Sequence, residues 1–200
     1  EQNNAEVQTI PVQVQSGKLV FTRGGQSPGH AFLVREEAEI RLAAGDSETD
    51  YRFDATGVMG DGSLLLGTDA NLVAGEETSL RILPRTVLVP DQTQVAEFVL
   101  DGGNITGGNI FNDGHFRWRS GSIDLGDSTF FNDGSHGGGR LTIEDAEGER
   151  TFRGRISNND EHGSVVVQKG NVTLNESRIS NKGTWRMGAD LLGSDSSFVF

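Results

Sequence analysis

Two stretches decide the fold: Gly114-His-Phe-Arg-Trp-Arg-Ser-Gly121-Ser-Ile-Asp-Leu-Gly-Asp-Ser-Thr-Phe-Phe-Asn132 and Gly163-Ser-Val-Val-Val-Gln-Lys-Gly170-Asn-Val-Thr-Leu-Asn-Glu-Ser-Arg-Ile-Ser-Asn181. Aligned on their glycines, Phe116 and Trp118 match Val165 and Val167, while Ile123 and Leu125 match Val172 and Leu174. Residues i and i+2 of a strand share a face, so each pair marks the inward side of a short strand. A middle copy, Gly139-Arg-Leu141-Thr-Ile143 with Phe152 and Ile156, fits once a turn at 144–149 is allowed.

The copies share a corner: Ile110-Phe111-Asn112-Asp113-Gly114, Phe130-Phe131-Asn132-Asp133-Gly134, Ile156-Ser157-Asn158-Asn159 and Ile179-Ser180-Asn181-Lys182-Gly183. Successive corner asparagines lie 20, 26 and 23 residues apart, the length of one solenoid coil with insertions. Each follows an inward Ile or Phe by two positions. Asn112, Asn132, Asn158 and Asn181 are therefore expected to point inward and stack as a ladder, each amide donating to the next carbonyl. The competing role is a left-handed turn conformation before glycine, which Asn tolerates.

Towards the N-terminus the same grammar weakens. Leu19 with Phe21, Leu64 with Leu66, Ala70 with Leu72, and Leu80 with Ile82 read as inward pairs. Val34 to Ala44 has a helical look, but Ala38, Ile40 and Leu42 alternate, so strand is at least as well supported. Pro84 and Pro90 bracket an irregular segment. Residues 1–15 are expected to be a flexible leader with an edge-pairing strand. Residues 16–200 then form one solenoid domain, less regular over 16–101 and more regular over 102–190.

Composition sets outer bounds. Hydrophobic residues make up 34% of the 200, against about 45% for ordinary globules, which implies a thin core. The 28 glycines against 4 prolines suit many sharp bends rather than collagen or Pro-rich disorder. A net charge of −12 and scattered basic residues argue against nucleic acid as a partner. Without cysteine, disulfides, zinc thiolate sites and cysteine nucleophiles are excluded. No apolar run is long enough for a membrane span, and no signal-peptide pattern opens the chain. Glu1 therefore looks like the start of a mature or excised segment, and the apolar end at 198–200 like a point of continuation or of contact with a neighbour.

Four Asn corners and Gly-punctuated strands resemble the right-handed parallel β-helices of autotransporter passengers, bacterial adhesins and pectate-lyase-like proteins. The resemblance is clear over 102–190. It implies an all-β, right-handed parallel β-helix of about 20–26 residues per coil, with an extracellular or cell-surface location. Its enzymatic branch is not matched: Gly29-His30-Ala31 and Arg155-Ile156-Ser157 break the hydrolase motifs, and no Asp-Asp pair accompanies them. Neighbouring carboxylates such as Glu36-Glu37 point to opposite faces of a strand and cannot share a substrate.

The expected function is thus a non-enzymatic structural module that associates end to end, with itself or with flanking domains. Thr9, Val12, Val14, Phe198, Val199 and Phe200 are the expected junction. A carbohydrate-binding adhesin is the alternative, and a polysaccharide lyase or hydrolase a remote one. No cofactor is expected. Calcium is a secondary candidate at Asp113 and Asp133, two carboxylates at one corner of successive coils that repel unless neutralised. His115, His136 and His162 read as surface or stacked histidines rather than metal ligands, and alternation with Arg117, Arg119 and Arg186 puts Trp118 and Trp185 inside.

Overall fold

The computed structural model describes residues 12–29, 31–45, 48–54, 56–82, 96–132, 139–144, 147–158, 161–188, 191–194 and 197–199. Eighteen strands form one parallel sheet, and no helix occurs among the described residues. Before residue 83 lie β1 (Val12–Val14), β2 (Gly17–Phe21), β3 (Gly25–Pro28), β4 (Ala31–Val34), β5 (Ala38–Leu42), β6 (Thr49–Asp54), β7 (Gly57–Gly60), β8 (Ser63–Gly67) and β9 (Ala70–Ile82). Beyond it lie β10 (Glu97–Asn112), β11 (His115–Phe131), β12 (Arg140–Ile143), β13 (Arg150–Asn158), β14 (Ser164–Val167), β15 (Val172–Asn181), β16 (Thr184–Met187), β17 (Leu191–Ser194) and β18 (Ser197–Val199).

Early in the chain each strand pairs in parallel with the third one after it: β1 with β4, β2 with β5, β3 with β6. The later, longer strands run round corners and pair with one neighbour after another. Three faces result, a stack compatible with a β-solenoid. The first face holds β2, β5, β8, the starts of β10 and β11, then β12, β14 and β16. The second holds β3, β6, the start of β9, the middles of β10 and β11, the starts of β13 and β15, and β17. The third holds β1, β4, β7, the ends of β9, β10, β11, β13 and β15, and β18.

Register turns the sequence alternation into columns. On the first face, Leu19, Ile40, Leu64, Phe98, Phe116, Leu141, Val165 and Trp185 are successive partners. From Ile40 to Val165 all are buried, and Leu19 and Trp185 pack partly buried at the two ends. Phe98 stacks on Phe116 at 5.0 Å, and Phe116 meets Phe130 edge to face at 5.1 Å, so aromatic contacts tie the first face to the third across the interior.

Glycine is obligatory where coils touch at a bend. Gly121 has φ +99°, and a Cβ there would lie 2.0 Å from the Gly103 carbonyl oxygen. Gly60 has φ +112°, with Val34's carbonyl oxygen equally close to a built Cβ. At both positions the left-handed conformation and the backbone contact exclude any side chain.

Candidate functional site

At the corner between the third and first faces, the four asparagines stand on consecutive rungs. Asn112 Nδ2 donates to Asn132 Oδ1 at 2.8 Å, Asn132 Nδ2 to Asn158 Oδ1 at 2.8 Å, and Asn158 Nδ2 to Asn181 Oδ1 at 2.6 Å. Each amide also donates to backbone: Asn112 to Arg140, Asn132 to Ser164, Asn158 to Gly163 and Asn181 to Gly183. The first three are fully buried. Positive φ among non-glycine residues occurs at Glu37, Asp69 and Glu176, not at these asparagines. The left-handed turn is therefore not their role.

Upward from Asn112 the column changes chemistry. Its partner in register is Ile82, then Val58, Phe32 and Val12. With an isoleucine above it, Asn112 Oδ1 is buried without a hydrogen-bond partner among the described residues. Every amide donates towards the C-terminal end, so the unmatched carbonyl collects at the N-terminal end of the row.

The expected junction residues divide. Val12 is 37% exposed and Val14 is buried, both on β1, which among the described strands pairs on one side only, with β4. Phe198 and Val199 lie in β18, in register with Ile179 and Ser180. Thr9 and Phe200 lie outside the described residues. Of the calcium candidates, Asp113 is described and Asp133 is not. Among the described residues no group of three or more His, Asp or Glu side chains is placed to hold a metal ion.

Trp118 is buried, its indole donating to the Gly121 carbonyl at 3.2 Å. Of the histidines, His136 lies outside the described residues, and His162 is exposed. His115 contacts Thr142 Oγ1 at 2.9 Å and lies 3.5 Å from Glu97. Burial, with Arg140 and Arg117 adding repulsion, lowers its pKa to about 4.

Register also assembles groups that sequence spacing hides. On the outer side of the first face Glu144 accepts from Arg117 and, at 2.9 Å, from Arg119, while Arg117 reaches back to Glu97 at 3.2 Å and Arg119 to Asp101 at 3.4 Å. Burial alone would raise the Glu144 pKa, but the two guanidinium groups hold it below the usual carboxylate value. Beside this network an open groove of about 440 Å³ is lined by Glu37, Glu39, Asp61, Glu97 and His115. Outside the second face, Asn71 donates to Asp50, Asn104 to Asn71, and Ser122 to Asn104. On the third face Phe111 stacks on Phe131 at 4.8 Å with planes 10° apart, and the Arg81 guanidinium sits 4.9 Å from the Phe111 ring centre. The visible signal for that pair was a double apolar step, Ile110-Phe111 and Phe130-Phe131, whose second member must face outward.

No protein-family model, curated protein or solved structure matches this chain.

Proposed function

We propose that this chain is a right-handed parallel β-helix acting as a non-enzymatic structural module of a secreted or cell-surface assembly, joined end to end. The hand follows from strand twist, which makes parallel crossovers right-handed in about 98% of cases. One observation carries the reading. β1, β2 and β3 at one end of the sheet, and β16, β17 and β18 at the other, pair on one side only among the described strands. Their free backbone groups are a template for another parallel strand.

The two ends also match in register. A second copy stacked head to tail would seat Leu19 and Phe21 on Trp185 and Met187, continuing the first-face columns. Leu19, Phe21 and Trp185 are only partly buried now, and Met187 is 44% exposed. The carboxylate Glu144 is committed to two arginines, which suits a scaffold better than an acid–base catalyst. Negative-stain electron microscopy across a concentration series tests the proposal. Rods that lengthen with concentration are expected; compact monomers of constant size at every concentration would refute end-to-end joining.

A further inference from the structure

The third face is chemically unlike the rest of this acidic chain. Its segments 79–82, 109–112, 129–131, 155–158 and 178–181 contain three arginines and neither Asp nor Glu. The flanking carboxylates Asp113 and Asp127 belong to the corners that bound it. Arg155 and Arg178 are direct partners in register, so two exposed cations lie one strand spacing apart, about 4.8 Å. Among the described residues neither forms an ion pair, whereas Arg117, Arg119 and Arg153 on the other faces all do. Like charges directly opposite are destabilising until an anion bridges them.

Beside them the aromatic column stops. Phe131 is covered on one side by Phe111, but its partner on the other side is Ser157, followed by Ser180. A serine is too short to cover a phenyl ring. Ser157 and Arg155 are two residues apart on one strand face, about 6.6 Å. A ring lying against Phe131 would thus carry a substituent of ordinary length to the two guanidinium groups.

We propose that this face binds a small aromatic carboxylate, with its ring stacked on the Ser157 side of Phe131 and its carboxylate held by Arg155 and Arg178. A flat ring continues a stack whose members lie 4.8 Å apart, as offset aromatic pairs prefer. A carboxylate matches the fork geometry of guanidinium donors. The site goes beyond the end-to-end reading, since it uses the side of the stack and not its ends.

The test uses the full chain and 4-fluorobenzoate observed by fluorine NMR, with amide shifts at Ser157 and Ser180. Binding that shifts those amides is expected. The R155Q/R178Q double substitution should weaken it about tenfold or more, and Ser157→Phe, which fills the place of the ligand ring, should abolish it. Arg186→Gln, on the first face, should leave it unchanged. The arginine sites are exposed, so their variants keep the fold. Equal binding of neutral 4-fluorobenzamide, preference for glucuronate or an oligonucleotide, indifference to both variants, or no binding at millimolar concentration would each overturn the proposal. Rod formation is read separately and is independent of it.

Discussion

Asn132 Nδ2 donates at once to Asn158 Oδ1 and to the Ser164 carbonyl, at 2.8 and 3.0 Å. One amide therefore joins two rungs and ties down the backbone of the next bend.

Asn132→Leu should cost about 2–4 kcal/mol, since it strands the Asn158 carbonyl, the Ser164 carbonyl and the Asn112 amide in a buried site. Asn112→Leu should cost less, because it also removes a carbonyl that has no partner among the described residues. Urea unfolding midpoints of the two variants would show the order, and a reversed order would contradict the ladder account.

The apolar half of the same column offers a paired test. Ile82→Asn places an amide directly above Asn112 Oδ1, whereas Val58→Asn places one between Phe32 and Ile82 with no such acceptor. Although isoleucine loses more apolar surface than valine, Ile82→Asn should be the milder change by about 1 kcal/mol. Thermal melts of both proteins decide it.

His115 makes stability depend on pH. Its folded pKa of about 4 lies below the ordinary 6.5, so between those values the unfolded chain binds the extra proton. Stability therefore rises with pH through that window and is lost as the pH falls from 6.5 to 4. Partial exposure limits the effect to on the order of 1–2 kcal/mol. His115→Gln should flatten the slope of unfolding free energy against pH over this range. The lowered Glu144 pKa acts in the same direction but further down, below the ordinary carboxylate value.

Gly121→Ala should destabilise by more than about 3 kcal/mol, or prevent folding, because both its φ and the Gly103 carbonyl forbid a Cβ. Gly25→Ala, with open space around a built Cβ, should change the melting temperature little. Equal effects would show that the bend at Gly121 adjusts.

The sequence made the inward pairs after each glycine and the repeated Ile/Phe-x-Asn corner readable, because identity and spacing recur together. Val12, Phe32, Val58 and Ile82 continue the Asn column, yet their varied identities left no repeat to follow. The Glu97, Arg117, Glu144 network was hidden for another reason. Its members come from three rungs, and only the rung-to-rung register, which loops of unequal length displace, brings Arg117 to Glu144. The pairing of Phe131 with Ser157 was equally invisible, since it depends on which serine follows a phenylalanine in space.

The junction between Ile82 and Asn112 also bears on how the chain counts its rungs while it winds. Where neighbouring layers look alike, skipping one is a cheap mistake. A miscounted layer that set Asn132 under Ile82 would leave a second amide carbonyl stranded and push Asn112 out of line. The boundary between hydrocarbon and amide thus penalises an ordering that sets Asn132 in the place of Asn112.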